Sequence, residues 1–280
     1  MTPTKAVITA ANPAEQHLPL QTVTDSNGET KSALQIILDD LFSAALESAA
    51  IIIVPGSRDA YAAAAGPYNN RLQFIEQAAP LGYGHAVWCA RDYTGDDPFV
   101  LLVGDHLYLS NSGDSCVKQL LTVAAQRNCQ VSAVQSTHES QLHLYGTVGA
   151  SRVTGDDHLF EIHTIIEKPT PTLAEQDLII PGLRHGNYLC FFGMHVLSPK
   201  VMQLLDQLAS DIPPGKTLGL SPTLALAAGS ERFLAAQLDG TRFNLGERYG
   251  LLRAQVALAL AGPHRDEVLT SLVELLATTK

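Results

Sequence analysis

Phe99-Val100-Leu101-Leu102-Val103-Gly104-Asp105 decides the fold class of this chain. Five consecutive apolar residues leave no polar face, so the segment reads as a strand covered on both sides. Gly104-Asp105 then ends it with a turn residue and an acid. The carboxyl end of a buried parallel strand is where open α/β sheets bind their ligands, so Asp105 is the first candidate site residue. The plain alternative is a loop aspartate that caps the next element.

Working outward, the same apolar signature recurs. Lys5 to Ala10 runs into Ala11-Asn12-Pro13, Ile51 to Val54 runs into Pro55-Gly56, and a third run lies within Arg71 to Gln77. Downstream come Val131 to Gln135, Tyr188 to Leu197 and Arg232 to Leu238. Helical spacing fills the intervals. From Ser32, Leu34, Ile37, Leu38, Leu41, Phe42 and Leu46 recur at three and four, with Thr30 or Ser32 as the N-cap. Gly84 to Arg91, Asp114 to Arg127, Lys200 to Leu208 and Pro222 to Ala228 are further helices, and Gly250 to Ala261 and Arg265 to Ala277 close the chain. Buried strands alternating with helices predict an α/β three-layer sandwich around a mostly parallel sheet. Leu142 to Val148 and Leu159 to Ile166 mix apolar and polar residues, which predicts a small antiparallel excursion. Residues 12 to 31 lose periodicity around the turn Asp25-Ser26-Asn27-Gly28, and residues 170 to 186 read as a long irregular stretch. No repeat, low-complexity run or linker interrupts the chain, so residues 1 to 280 are expected to form one domain.

The bulk properties narrow the function. A net charge of −10 over 280 residues argues against a nucleic-acid backbone as partner. No stretch is long enough to span a bilayer, and the start Met1-Thr2-Pro3-Thr4-Lys5 carries no signal-peptide pattern, so a cytoplasmic location is expected. Cys89, Cys116, Cys129 and Cys190 are widely spaced and read as small core hydrophobes rather than zinc ligands or disulfide partners.

Five segments, in order, resemble the sugar-nucleotide pyrophosphorylases in their uridylyltransferase form. Lys5-Ala6-Val7-Ile8-Thr9-Ala10-Ala11 resembles their first strand, and Glu76-Gln77-Ala78-Ala79-Pro80-Leu81-Gly82-Tyr83-Gly84-His85-Ala86-Val87 their base-recognition segment. Phe99 to Asp105 is similar to the strand that ends in a metal-binding aspartate. Ile166-Glu167-Lys168-Pro169, with Cys190 to Pro199 after it, is similar to the sugar-binding half, and Arg242 to Ala254 to the late Asp-Cys-Gly segment. The resemblance covers about residues 4 to 260. It implies a Rossmann-like, GT-A-like nucleotidyltransferase fold, with a nucleotide half over about 1–135, a sugar half over about 136–260 and C-terminal helices over about 250–280. It implies the joining of UTP and glucose 1-phosphate into UDP-glucose and pyrophosphate, with Mg²⁺ as cofactor, in a homo-oligomer (dimer or tetramer).

The same resemblance places Ala10, Ala11, Gln77 and Gly82 at the nucleotide, and Glu167, Lys168, Tyr188 and Gly193 at the sugar. It makes Asp105 and Lys168 catalytic and Asp105 and Asn244 the metal ligands. Gln77 has an amide able to meet a pyrimidine edge through two hydrogen bonds, and Gly82 lets a base approach the backbone. An exposed salt bridge is the plain alternative for Glu167 and Lys168.

The chain departs from the pattern where phosphates are gripped. The family's Ala-Gly-x-Gly-Thr-Arg run reads Ala11-Asn12-Pro13-Ala14-Glu15-Gln16 here. Two glycines and an arginine are gone, Pro13 removes an amide donor, and Glu15 adds negative charge. The Asp-Cys-Gly segment reads Asn244-Leu245-Gly246, and a later stretch with two acids reads Thr217-Leu218-Gly219-Leu220-Ser221-Pro222. Lys31, His17, Arg58 and Arg71 are the candidates to replace the lost cations. Phosphoryl transfer depends on positioning and charge neutralisation, so these losses predict weakened or absent catalysis. Two readings stand: a uridylyltransferase with a rebuilt loop, and a non-catalytic relative that binds a nucleotide sugar or regulates a partner.

Overall fold

A computed structural model describes residues 1–213 and 215–278. The chain opens with β1 (Lys5–Ala10), a hairpin of β2 (Thr22–Thr24) and β3 (Thr30–Ser32), α1 (Ala33–Ser43), β4 (Ser48–Ile53), α2 (Arg58–Ala64) and β5 (Leu72–Glu76). Then follow α3 (Tyr83–Trp88), α4 (Arg91–Thr94), β6 (Phe99–Val103), β7 (His106–Ser110), α5 (Cys116–Arg127), β8 (Gln130–His138), β9 (Gly146–Arg152) and β10 (Leu159–Glu167). The remainder comprises α6 (Pro171–Asp177), β11 (Asn187–Leu197), α7 (Pro199–Ala209), α8 (Leu220–Ala228), β12 (Phe233–Gln237), β13 (Gly240–Asn244), α9 (Gly250–Ala261) and α10 (Arg265–Thr278).

One nine-stranded sheet in the order β5-β4-β1-β6-β11-β8-β12-β10-β9 organises these elements. Both faces of its first half are buried, which is why those strands are apolar throughout. Along β6, Val100 and Leu102 face one core cluster, while Phe99 and Leu101 face the other. In β1, Ala6 and Ile8 face the first and Val7 the second. Ser32 caps α1, its hydroxyl accepting from the Gln35 amide at 2.9 Å.

The sheet is mixed rather than mostly parallel. Among the described residues β5, β4, β1 and β6 run parallel, as do β8 and β12. β11 runs against both β6 and β8, and β10 against β12 and β9. An apolar run records burial but not direction, so the reversal of β11 was not readable from its composition. β11 also divides one edge between two neighbours, pairing Leu189 and Cys190 with β9 and Met194 to Leu197 with β6. The antiparallel excursion is present as β9 and β10.

Three further segments differ from expectation. The aperiodic stretch 12–31 contains the β2–β3 hairpin, and the irregular stretch 170–186 contains α6, capped by the Thr170 hydroxyl. β7 and β13 form a separate two-stranded sheet that pairs His106 with Asn244. No helix among the described residues is long and apolar enough to cross a membrane.

On α1, burial pushes the Asp40 carboxyl up to about 7, and the neighbouring Asp39 charge adds to the rise. An unfolded aspartate titrates near 3.9, so the folded state holds the extra proton between about pH 4 and 7. Stability contributed by neutral Asp40 is therefore fully present below about pH 4 and lost as pH rises to about 7. Asp40→Asn is expected to stabilise the chain by on the order of 2–4 kcal/mol at pH 8 and by little at pH 4. Urea titrations of both proteins at the two pH values check this; an equal gain at both would remove the titration argument.

Candidate active site

The carboxyl ends of β1 and β6, the irregular middle of β11 and the end of β10 surround a cleft of about 490 Å³. Ala10, Ala11, Gln77, Gly82, Asp105, Glu167, Lys168, Gly193 and Asn244 all line it. Tyr188 does not. It is 5 % exposed and packs with Leu142, Tyr145 and Ala174 in a small core cluster behind the cleft, so its expected place beside a sugar is not where it stands.

Asp105 follows β6, and its backbone carbonyl accepts from Leu245 N at 2.9 Å, tying it to the β13 end. Burial pushes the Asp105 carboxyl up, but His106, whose Nδ1 lies 2.8 Å from Oδ1, brings it below the ordinary carboxylate value. One oxygen is thus committed to His106 and the other remains for a ligand. Asn244 is committed too, since its Oδ1 accepts from Gly246 N at 2.9 Å. No three His, Cys, Asp or Glu side chains among the described residues gather as a metal cluster. Mg²⁺ is commonly held by one or two carboxylates together with ligand phosphates and water. Asp105 fits that role, and Asn244 Oδ1 keeps one lone pair beside the one that accepts from Gly246.

On the nucleotide side Gln77 ends β5 and is 6 % exposed. Its side-chain amide donates to Gly82 O at 3.2 Å and to His85 Nδ1 at 2.9 Å. Burial lowers the His85 pKa, which favours the neutral imidazole, and opposite the donating Gln77 amide nitrogen Nδ1 is the acceptor. Both Gln77 N–H bonds are therefore used internally, which leaves Oε1 as its uncommitted polar atom. The expected two-bond use of the amide would require Gln77 to release one of these internal bonds. Gly82 has φ +104°, and a Cβ there would stand 2.7 Å from Leu218 O. The 217–222 segment packs directly beneath it, with Leu218 N donating to Leu81 O at 2.7 Å and Gly84 N to Leu218 O at 2.8 Å.

On the other side Glu167 and Lys168 stand at the end of β10. Lys168 has φ +48°, a left-handed conformation uncommon outside glycine, and its amide donates to Tyr145 O at 3.2 Å. Ser221, in the segment that lacks the family's acids, donates to Glu167 Oε2 at 2.5 Å. Gly146, which carried no expectation, is hemmed in by both: its Cβ would meet the Phe191 ring at 2.7 Å and Glu167 and Ser221 at 3.0 Å. Gly193 lies in the irregularity of β11 with φ +90°, against the Tyr108 hydroxyl, which donates to its carbonyl at 3.0 Å.

The loop after β1 spends three of its amide donors on itself. Ala14 N bonds Asn12 Oδ1 at 3.2 Å, Glu15 N bonds Asn12 O at 3.0 Å, and Leu18 N bonds Glu15 O at 2.9 Å. Pro13 has no amide hydrogen. From below, the buried Tyr61 hydroxyl donates to Gln16 O at 2.7 Å. Glu15 accepts from Asn12 Nδ2 and stands beside Gly246, whose Cβ would lie 3.1 Å from its carboxylate. Among the described residues lining the cleft, Lys168 is the only lysine or arginine, against Glu15, Asp105 and Glu167.

The expected substitute cations lie elsewhere. Lys31 is held by Asp25 at 2.9 Å, Asp39 at 3.0 Å and Glu29 at 3.3 Å, which raise its pKa above the ordinary lysine value. Arg71 stacks over Phe42 and donates to the Leu46 and Glu47 carbonyls. His17 and Arg58 are exposed and line no part of the cleft.

The chain belongs to the nucleotidyl transferase family, whose model matches residues 21–237. It is 28 % identical over 203 residues to the UTP–glucose-1-phosphate uridylyltransferase YngB of Bacillus subtilis, a match covering 72 % of this chain and 63 % of that protein. The UTP–glucose-1-phosphate uridylyltransferase of Streptococcus pneumoniae is 27 % identical over 210 residues, covering 74 % of this chain and 66 % of its own. The matched stretch thus spans slightly under two thirds of these relatives. A UDP-glucose pyrophosphorylase complexed with UDP-glucose shares the fold at TM-score 0.74 and 20 % identity, over 92 % of this chain and 98 % of that one. A UTP-bound UGPase from Acinetobacter baumannii does so at 0.72 and 20 %, over the whole of both.

Proposed function

We propose that this chain binds a uridine nucleotide sugar of the UDP-glucose type in the cleft, and that its capacity to make one from UTP and glucose 1-phosphate is weakened or lost. The observation that carries the proposal is the charge and donor balance: one cation against three carboxylates, beside a loop that has a proline at position 13 and turns the amides of Ala14, Glu15 and Leu18 onto itself. A triphosphate and a leaving pyrophosphate need fixed positive charge, and removing such a cation costs powers of ten in rate. A nucleotide sugar carries less charge and adds hydroxyls for Glu167.

In this proposal Gln77 Oε1 takes the ring N–H of the base, and Glu167, oriented by Ser221, takes sugar hydroxyls. Lys168 meets the sugar-linked phosphate. Mg²⁺, held by Asp105 and the ligand's own phosphates, supplies charge neutralisation when bound. The same acid and the same lysine support residual transfer, the second reading. Residues 1–280 act as one unit, since the cleft draws on both halves. A homo-oligomer belongs to the proposal as well, supported by Leu269 and Val273, which α10 leaves exposed.

Thermal shift with Mg²⁺ present tests the ligand preference. UDP-glucose is expected to raise the melting temperature more than UTP at equal concentration, because ligand stabilisation follows affinity. Stronger stabilisation by UTP, with pyrophosphate released once glucose 1-phosphate is added, would overturn the proposal in favour of a working transferase.

A further inference from the structure

Tyr83 begins α3 and lines the cleft, with its ring packed against the second core cluster. Its hydroxyl is fully buried beside the Thr9 hydroxyl, yet its proton meets no acceptor in good hydrogen-bond geometry; Gln130 Oε1 is the only other buried side-chain polar atom among the described residues left without such a bond. A buried hydroxyl without a partner costs roughly 1–3 kcal/mol, and such groups in native structures ordinarily await a water, ion or ligand. The surroundings narrow the choice. Thr9, Asp105 and Glu167 are its polar neighbours, and all three line the cleft. Thr9 turns its hydroxyl to Leu102 O at 3.4 Å, and Asp105 Oδ1 and Glu167 Oε2 are occupied by His106 and Ser221.

We infer that the Tyr83 hydroxyl donates a hydrogen bond to a phosphate oxygen of the bound nucleotide. A phosphate accepts and never donates at these oxygens, which matches a lone donor. A sugar hydroxyl, by contrast, finds acceptors in Asp105 and Glu167 and has no need of one. Charged donors are scarce in the rest of the cleft, because Lys168 is the single lysine or arginine among the described residues that line it, and the loop amides of Ala14, Glu15 and Leu18 are bonded within the loop. Burial raises the phenol pKa above its ordinary value, so the proton is present at any physiological pH. Tyr83 thus supplies by a neutral hydrogen bond part of what the loop no longer supplies by charge.

The inference rests on the proposed function, and calorimetric titration of wild type and Tyr83→Phe with UDP-glucose and with uridine separates the two. Phenylalanine keeps the ring and its packing and removes only the hydroxyl. The variant is expected to bind UDP-glucose about tenfold to a hundredfold more weakly, to bind uridine as wild type does, and to melt no lower without ligand. Unchanged UDP-glucose affinity in the variant overturns the inference alone. Equal losses for uridine and UDP-glucose overturn it too, since the contact would then be to base or ribose. A lower melting temperature with unchanged affinity identifies a hydroxyl satisfied by structural water. Absence of UDP-glucose binding by wild type overturns the proposed function, and the inference falls with it.

Discussion

Lys168→Ala is expected to raise the dissociation constant for UDP-glucose about a hundredfold, the largest loss of any single cleft residue. A hydrogen bond to a charged partner is worth roughly 1.5–3 kcal/mol, and each 1.4 kcal/mol is a factor of ten. Lys168 stands at the upper end because no other lysine or arginine lines the cleft to share the phosphate charge, while three carboxylates oppose it. The side chain is exposed and its left-handed backbone makes no demand on a long side chain, so folding is expected to be indifferent to the change. Titration calorimetry with UDP-glucose, alongside a melting curve, checks both halves. A change of less than about threefold would show that phosphate is held elsewhere.

Gly250→Ala is expected to have a large effect on stability and, through it, on the cleft. A Cβ at Gly250 would stand 1.9 Å from the carbonyl oxygen of Asn244 and 3.0 Å from its carbon. Both neighbours are backbone, so no rotamer change relieves the clash. Gly250 also follows Tyr249, itself left-handed at φ +63°, at the start of α9, which leaves the turn little room to adjust. Overpacking of this kind costs about 3–5 kcal/mol, or a fall of about 10 °C in melting temperature for a chain of this size. Because the displaced group is Asn244, on the cleft wall, ligand binding falls with it. Differential scanning calorimetry of the variant gives the answer, and a shift below about 2 °C would refute the packing argument.

The parts of this fold that were legible in the sequence are those buried on both sides or capped by one residue. β1, β4 and β6 declare themselves by unbroken apolar runs, and Ser32 by its place before a helical period. What lay hidden depends on partners far along the chain. β7 reads His-Leu-Tyr-Leu-Ser and takes its meaning only from β13, more than a hundred residues away, while β11 runs antiparallel without any trace of it in composition. The candidate site shows the same division. Gln77, Gly82, Asp105, Glu167, Lys168, Gly193 and Asn244 converge on one cleft, whereas Tyr188 turns into the core. That Gln77 has spent its N–H groups, and that the Tyr83 proton meets no acceptor, depends on side-chain angles that no residue spacing encodes. Gly146 was overlooked although Tyr145-Gly146 precedes a strand, where a glycine often marks close packing.

The turn from Asn12 to Leu18 also constrains how this lineage can change. Restoring glycine at position 12 would release Ala14 N but leave Glu15 N bonded to a backbone carbonyl and Pro13 without a hydrogen to offer. Restoring an arginine at position 16 would place it on a segment whose carbonyl is already anchored by Tyr61. No single step returns a phosphate cradle, and each intermediate loses part of the present turn before gaining anything. Such a loop behaves as a ratchet: single substitutions dismantle the present turn without assembling a phosphate cradle.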